Sequence, residues 1–280
     1  MNLNRKSKVI ILYHSGAGST KTIAEVFYET LSKEFICELN AINLVYNYDK
    51  LIEYDLLIIG FPTYHCEPSQ SIMDFIGNLP KFTKVKNAFI FTTYGLFSGN
   101  TERIFIKLCK EKNIDVCGSN AYKAPATDGV LLFPPLKFMF KYGKNVSKKV
   151  KNDEELIRNL IMNKNKTSSY KPRFKLYTIL NYPNKKLGQK YKHKLTIIED
   201  QCIGCNKCIN ACIRDCWRQE NNSRIWEIQN CEFCFKCVHQ CITSAIILSK
   251  MTHKKSKLNN SFYKKLKHQL LEEIQLNKKC

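Results

Sequence analysis

Apolar positions along the first 120 residues follow two rhythms. Val9–Tyr13, Leu56–Gly60 and Ala88–Thr92 are short, nearly unbroken apolar runs, the pattern of strands buried on both faces. Between them, Thr20–Glu34 places Ile23, Val26, Phe27, Thr30 and Leu31 at helical spacing, and Ser71–Leu79 and Glu102–Lys112 read as helices. Val146–Met162 has the same period and reads as a closing helix. Strands alternating with helices predict an α/β domain built on a doubly wound parallel sheet, here spanning 1–165. Ala121–Lys144 fits neither rhythm: Ala124–Gly129 is loop-like, and Val130–Phe140 is apolar but bends at Pro134-Pro135. Asn163–Lys194, rich in Lys, Asn and Tyr, reads as a connector, with its basic centre at 166–192. Beyond it, Leu195–Gln201 and Arg224–Asn230 are strand-like and introduce a small α+β module at 193–250. The tail, 251–280, carries a basic amphipathic helix over Ser261–Leu276 with Phe262, Leu266, Leu270 and Ile274 as its stripe; such a stripe usually packs on the parent protein.

Composition adds two anomalies. The 280 residues include 45 Lys+Arg against 24 Asp+Glu, a formal charge of +21, and 14 cysteines. No window approaches 18 uncharged apolar residues, and Val9–Tyr13 is too short for a signal-peptide core, so a soluble cytoplasmic protein is expected. In a reducing cytoplasm many cysteines point to metal or catalysis rather than disulfides. The basic excess is 38 Lys to 7 Arg, which argues against specific nucleic-acid recognition. It is also local: 151–194 carries +9 and 250–280 carries +7, while 195–249 carries −1.

Eight cysteines form a repeat. Cys202, Cys205, Cys208 and Cys212 make one C-x2-C-x2-C-x3-C run; Cys231, Cys234, Cys237 and Cys241 make another, each 29 residues beyond its counterpart. The half-modules are 193–221 and 222–250. Three cysteines two residues apart wrap one four-iron cubane, and a fourth, expected at a helix start, reaches the other. The ligand sets are then crossed: set A is Cys202, Cys205, Cys208 and Cys241, and set B is Cys231, Cys234, Cys237 and Cys212. Zinc is the competing occupant, since paired C-x2-C is also a zinc signature, but four-ligand sites have no use for this spacing. The stretch resembles bacterial two-cluster ferredoxins, with Ile213 and Ile242 where that family usually has Pro. Cys216 matches Ala245 at the offset, a small packed position. Cys37, Cys66, Cys109, Cys117 and Cys280 show no ligand spacing.

The first strand runs into His14-Ser15-Gly16-Ala17-Gly18-Ser19-Thr20 and then a helix. Backbone N–H groups and hydroxyls at a helix N-terminus make an anion site. The dinucleotide and triphosphate loop signatures are both absent. Ile11–Ala24 as a whole resembles the phosphate-binding signature of flavodoxins. That resemblance implies a flavodoxin-like sheet and FMN phosphate held by Ser15, Gly16, Ala17, Gly18, Ser19 and Thr20. It implies isoalloxazine loops after the next two core strands, with Pro62, Thr63, Tyr64 and His65 in one and Thr93, Tyr94, Gly95, Phe97 and Gly99 in the other.

A flavodoxin-like half followed by a two-cluster half resembles flavodoxin–ferredoxin fusion proteins. The resemblance covers about 8–120 and 195–250. It implies electron relay between FMN and two 4Fe-4S clusters and on to a soluble redox protein or reductase, an acidic one suiting the basic belt. Two other classes stay open: a flavin-dependent reductase with a pocket formed by Tyr94 and Ala121–Phe140, and a nucleic-acid or membrane-surface binder exploiting the basic charge, with peripheral membrane contact through the tail. No catalytic acid–base constellation stands out; His14 and His65 flank the flavin loops as lone histidines.

Overall fold

The computed structural model describes residues 6–45, 47–127, 141–162, 170–180, 195–221, 223–248 and 258–276. The apolar run Val130–Phe140, the ends of the connector and Cys280 lie outside these.

Five parallel strands form the main sheet: β1 (Lys8–Tyr13), β2 (Ile36–Ala41), β3 (Leu56–Tyr64), β5 (Lys86–Tyr94) and β6 (Ile114–Lys123), in the order β2-β1-β3-β5-β6. A two-residue strand, β4 (Glu67–Pro68), pairs antiparallel with the end of β3. Helices α1 (Ser19–Leu31), α2 (Gln70–Asn78), α3 (Thr101–Glu111) and α4 (Val146–Met162) cover the sheet. This is the flavodoxin-like order, and its switch point lies at the carboxyl ends of β1 and β3, where such sheets bind ligands.

Each face of the sheet has its own core. One holds Ile10, Leu12, Leu57, Ile59, Phe61, Ile90 and Phe105. The other holds Val9, Ile11, Ile58, Phe89, Phe91 and Tyr122 against Phe27 of α1 and Val150 and Ile157 of α4. Alternate residues of β1, β3 and β5 thus serve opposite cores, which is why these strands read as unbroken apolar runs. Strands β2 and β6 went unread in the sequence. β2 is a half-exposed edge strand, and β6 carries Asp115, Ser119 and Asn120 among its buried positions.

The cysteine module has little regular structure. β7 (Thr196–Ile197) pairs with β10 (Ile246–Ile247), and β8 (Trp217–Glu220) pairs with β9 (Ser223–Trp226). Only Arg224–Trp226 of the expected 224–230 strand is extended; Glu227–Asn230 turns toward Cys231. A four-residue helix, α5 (Tyr177–Leu180), ends the described part of the connector. Two five-residue helices, α6 (Lys207–Ala211) and α7 (Lys236–Gln240), hold the third cysteine of each run, and the fourth stands just after the helix. Cys212 and Cys241 therefore close a helix rather than start one. With Ile213 and Ile242 in place of a helix-initiating proline, the chain turns there instead of beginning a new helix.

The tail helix α8 (Asn260–Leu276) packs along α1 and α4, burying Tyr263, Leu266, Leu270 and Ile274. Its stripe includes Tyr263 where the sequence suggested Phe262, because the first turn meets Gly18. Lys267 pairs with Glu25 and Glu29 of α1 at 3.3 and 2.8 Å, so part of the basic charge is spent within the chain. No described helix is long and apolar enough to cross a membrane.

Candidate functional site

The loop Ser15–Gly18 leaves β1 at the switch point and enters α1 without a side-chain cap or an acidic residue in the first turn. The helix dipole at this end is thus left uncompensated, as an anion site requires. Ser15 Oγ is buried and has no hydrogen-bond partner among the described residues. Gly16 has no room for a Cβ, which would lie 2.5 Å from the Tyr64 hydroxyl and 3.0 Å from the Cys234 carbonyl oxygen. An orphan hydroxyl beside a backbone cradle fits a phosphate. Thr20 is already engaged, its hydroxyl 2.7 Å from that of Thr93. Ser19 donates to the Pro125 carbonyl at 3.1 Å, and its side chain lies 3.2 Å from the Tyr263 hydroxyl, whose ring covers Gly18. Sequence reading missed Tyr263; an aromatic one position off the expected stripe was the available signal.

The two expected ring loops are shorter than predicted. Pro62, Thr63 and Tyr64 are strand residues of β3, because pairing continues from Phe61–Thr92 and Pro62–Thr93 to β4. Thr93 and Tyr94 likewise finish β5. The turns proper are His65-Cys66, both at positive φ (50° and 65°), and Gly95–Asn100. They touch: a Cβ on Gly99 would lie 2.3 Å from Cys66 Cβ. His65 and Phe97 are exposed, and Tyr64 and Tyr94 half-buried. The connector residue Lys175 crosses the second turn, donating to Ser98 Oγ at 2.8 Å and exchanging hydrogen bonds with Asn100 at 2.8 and 3.2 Å. Phe97 meets Tyr177, their ring centroids 5.8 Å apart. Lys175 and Tyr177 of the connector therefore pack on the second turn.

In the cysteine module the 29-residue repeat extends to the backbone. Gly204 and Phe233 both have positive φ (68° and 64°), as do Asn206 and Phe235 (55° and 54°) and Asp215 and Ser244 (50° and 60°). Phenylalanine at positive φ is a costly outlier, held here because both rings are buried in the module core. The second run lines a small apolar cavity of about 20 Å³. Cys212 from the first run lines it together with Cys231, Cys234 and Cys237, so the four thiols of set B share one space. Cys216, a core residue, lines the same cavity and donates its N–H to Cys212 Sγ at 3.4 Å. Hydrogen bonding from Cys216 lowers the Cys212 thiol below its ordinary value. In set A, Cys202 and Cys208 are half-buried and Cys205 is exposed. Arg224 braces that loop through Gly204 O (3.0 Å) and Asn206 Oδ1 (2.5 Å). No group of three or more described His, Cys, Asp or Glu side chains is placed around a single metal ion.

The module is joined to the sheet by polar contacts at set B. Glu232 Oε1 lies 2.6 Å from His14 Nε2, and Glu232 Oε2 accepts from Ser71 N–H and Oγ–H, both at 2.9 Å. Burial works to raise this carboxyl, but His14 and Ser71 outweigh it and hold the pKa below the ordinary value. Arg214 pairs with Asp74 of α2, and Ile213 packs into the sheet core. On the other side His239 lies between Thr127 O (3.0 Å) and the Leu258 N–H (3.2 Å).

No protein-family model and no curated protein matches the chain. Among solved structures, it is similar to the two-electron reduced flavodoxin of Megasphaera elsdenii (23% identity over 40% of this chain and 84% of that one, TM-score 0.37). It is also similar to an archaeal flavodoxin (22% identity, 51% and 99%, TM-score 0.35). A third likeness is to rubredoxin oxygen:oxidoreductase from Desulfovibrio gigas (17% identity, 56% and 36%, TM-score 0.37). At these scores the likenesses add nothing to what the strand order already defines.

Proposed function

We propose that the protein is a cytoplasmic electron-transfer flavo-iron–sulfur protein that relays electrons between FMN and two 4Fe-4S clusters and on to a soluble redox partner. The observation that carries this reading is the crossed cysteine: Cys212 shares a cavity with the three cysteines of the other run, as two interleaved clusters require. The orphan Ser15 hydroxyl and the Gly16 cradle support FMN at the switch point.

FMN bound there exchanges one or two electrons and each cluster one, which supplies the conversion between the two kinds of traffic. The chain's own part is positioning. Ser15 and the backbone of Gly16–Thr20 hold the phosphate, Tyr64, Tyr94 and Phe97 flank the ring position, and sets A and B supply thiolates. Glu232 and Arg214 fix the module against β1 and α2. Nothing in this role needs a catalytic acid or base.

Anaerobic purification of the full chain, with iron, sulfide and flavin quantified together, tests the reading. About eight irons and one FMN per chain are expected. Zinc in place of iron, or absence of flavin, overturns the corresponding half.

A further inference from the structure

The two cysteine runs are copies in sequence and in backbone, yet only the loops around set B are docked on β1 and α2. At the 29-residue offset Glu232 matches Ile203, Cys234 matches Cys205 and Ile213 matches Ile242. The Glu232 side chain is 4% exposed and grips His14 and Ser71, while Ile203 is 64% exposed. Cys234 lies against Gly16 of the phosphate loop, while Cys205 faces solvent. Ile213 packs into the sheet core, while Ile242 is 60% exposed. At all three pairs the repeat diverges in environment, and at Glu232 in residue type, on the side that meets the sheet.

We infer that set B is the inner site, seated against the flavin position, that set A is the outer site, open to a soluble one-electron redox protein, and that Glu232 is the positioning residue fixing this order. The inference rests on the proposed FMN and cluster contents. With clusters held there, one-electron oxidation of the carrier would be balanced by one-electron reduction of the iron in the cluster that Cys202, Cys205, Cys208 and Cys241 would hold, and transfer to the cluster that set B would hold would reoxidise it. Glu232 suits the task because it is one residue from Cys231 and ties that loop to two elements of the sheet, β1 through His14 and α2 through Ser71. A buried carboxylate with these partners is costly to leave unmatched, so the docked geometry is strongly preferred.

The test uses the full chain, purified anaerobically, with iron release to excess ferrozine followed in time. Two phases of about equal size are expected, the faster from the exposed set A, differing roughly tenfold or more as local exposure dictates. Glu232→Gln should accelerate the slow phase alone. It should also raise the midpoint potential of one cluster, by removing a negative charge beside Cys231, and leave the other unmoved; a merely structural role would not select one potential. Cys205→Ser should remove or alter the fast phase and leave the slow one intact. Arg214→Gln, two residues from Cys212 and paired with Asp74 of α2 instead of with His14 and Ser71, repeats the release test if Glu232→Gln fails to accumulate. Equal release rates in a chain holding the full iron, or a Glu232→Gln effect on the fast phase, overturns the order alone. A chain that takes up no iron or no flavin overturns the underlying reading as well.

Discussion

The sheet domain and the cysteine module are held together in different ways. The sheet buries apolar side chains on both faces, and Phe27, Phe89, Phe91 and Tyr122 interlock with ring centroids 5.5–6.5 Å apart. The module has one small core, two-stranded ribbons, five-residue helices and two phenylalanines at positive φ. Burial holds the first. In the second the backbone is bent around its cysteines, and with the clusters proposed above its stability would come from what the cysteines hold. On that reading one chain combines a domain that folds by exclusion of water with a module that folds by ligation.

The sharpest way to break this comparison is to remove the metal. Chelation of the iron should abolish hydrogen-exchange protection across 195–248 and leave β3 and β5 protected; loss of both together would mean that the sheet also depends on the ligands. Next in size, Phe27→Ala should cost the sheet about 3–5 kcal/mol in urea unfolding while iron content stays unchanged.

A smaller effect concerns pH. Asp153 is buried beside Tyr122 and Asn120, and burial, the largest influence, raises its carboxyl to about 6 against the donors around it. A carboxyl with a folded-state pKa above its unfolded value holds its proton more tightly in the folded chain. Its contribution to stability therefore rises as pH falls through 6 and levels off near the unfolded value of 3.8. Between pH 7 and 4 the gain is about 2 kcal/mol, and Asp153→Asn should flatten that part of the profile. Smallest of all, Tyr263→Phe removes only the hydroxyl at Ser19 and should cost about 0.5–1.5 kcal/mol, read from the melting of the tail helix.

What the sequence revealed follows the same division. Strands β1, β3 and β5 were legible because both of their faces are buried, which leaves no polar interruption. The half-exposed edge strand β2 and the polar-bearing β6 lacked that mark. The cysteine repeat was legible because ligand spacing is a local property, and its left-handed positions extend that repeat to the backbone. Contacts between Glu232 and His14, or Tyr263 and Gly18, join residues more than 200 positions apart and leave no periodic trace. The strand extensions past Gly60 and Thr92 were missed for a related reason: Thr63 and Thr92 hydroxyls satisfy each other at 2.7 Å, so polar residues continue the sheet where the sequence suggested loops.

The seat of Tyr263 on the first loop also bears on the order in which the protein is made. Ser19 and Tyr263 are 244 residues apart. At a synthesis rate of roughly 5–20 residues per second, the loop precedes its cover by on the order of 10–50 s. During that interval a phosphate-bearing ligand can reach the N-terminus of α1 with no phenol above it. The tail helix, made long after that loop, then closes over it.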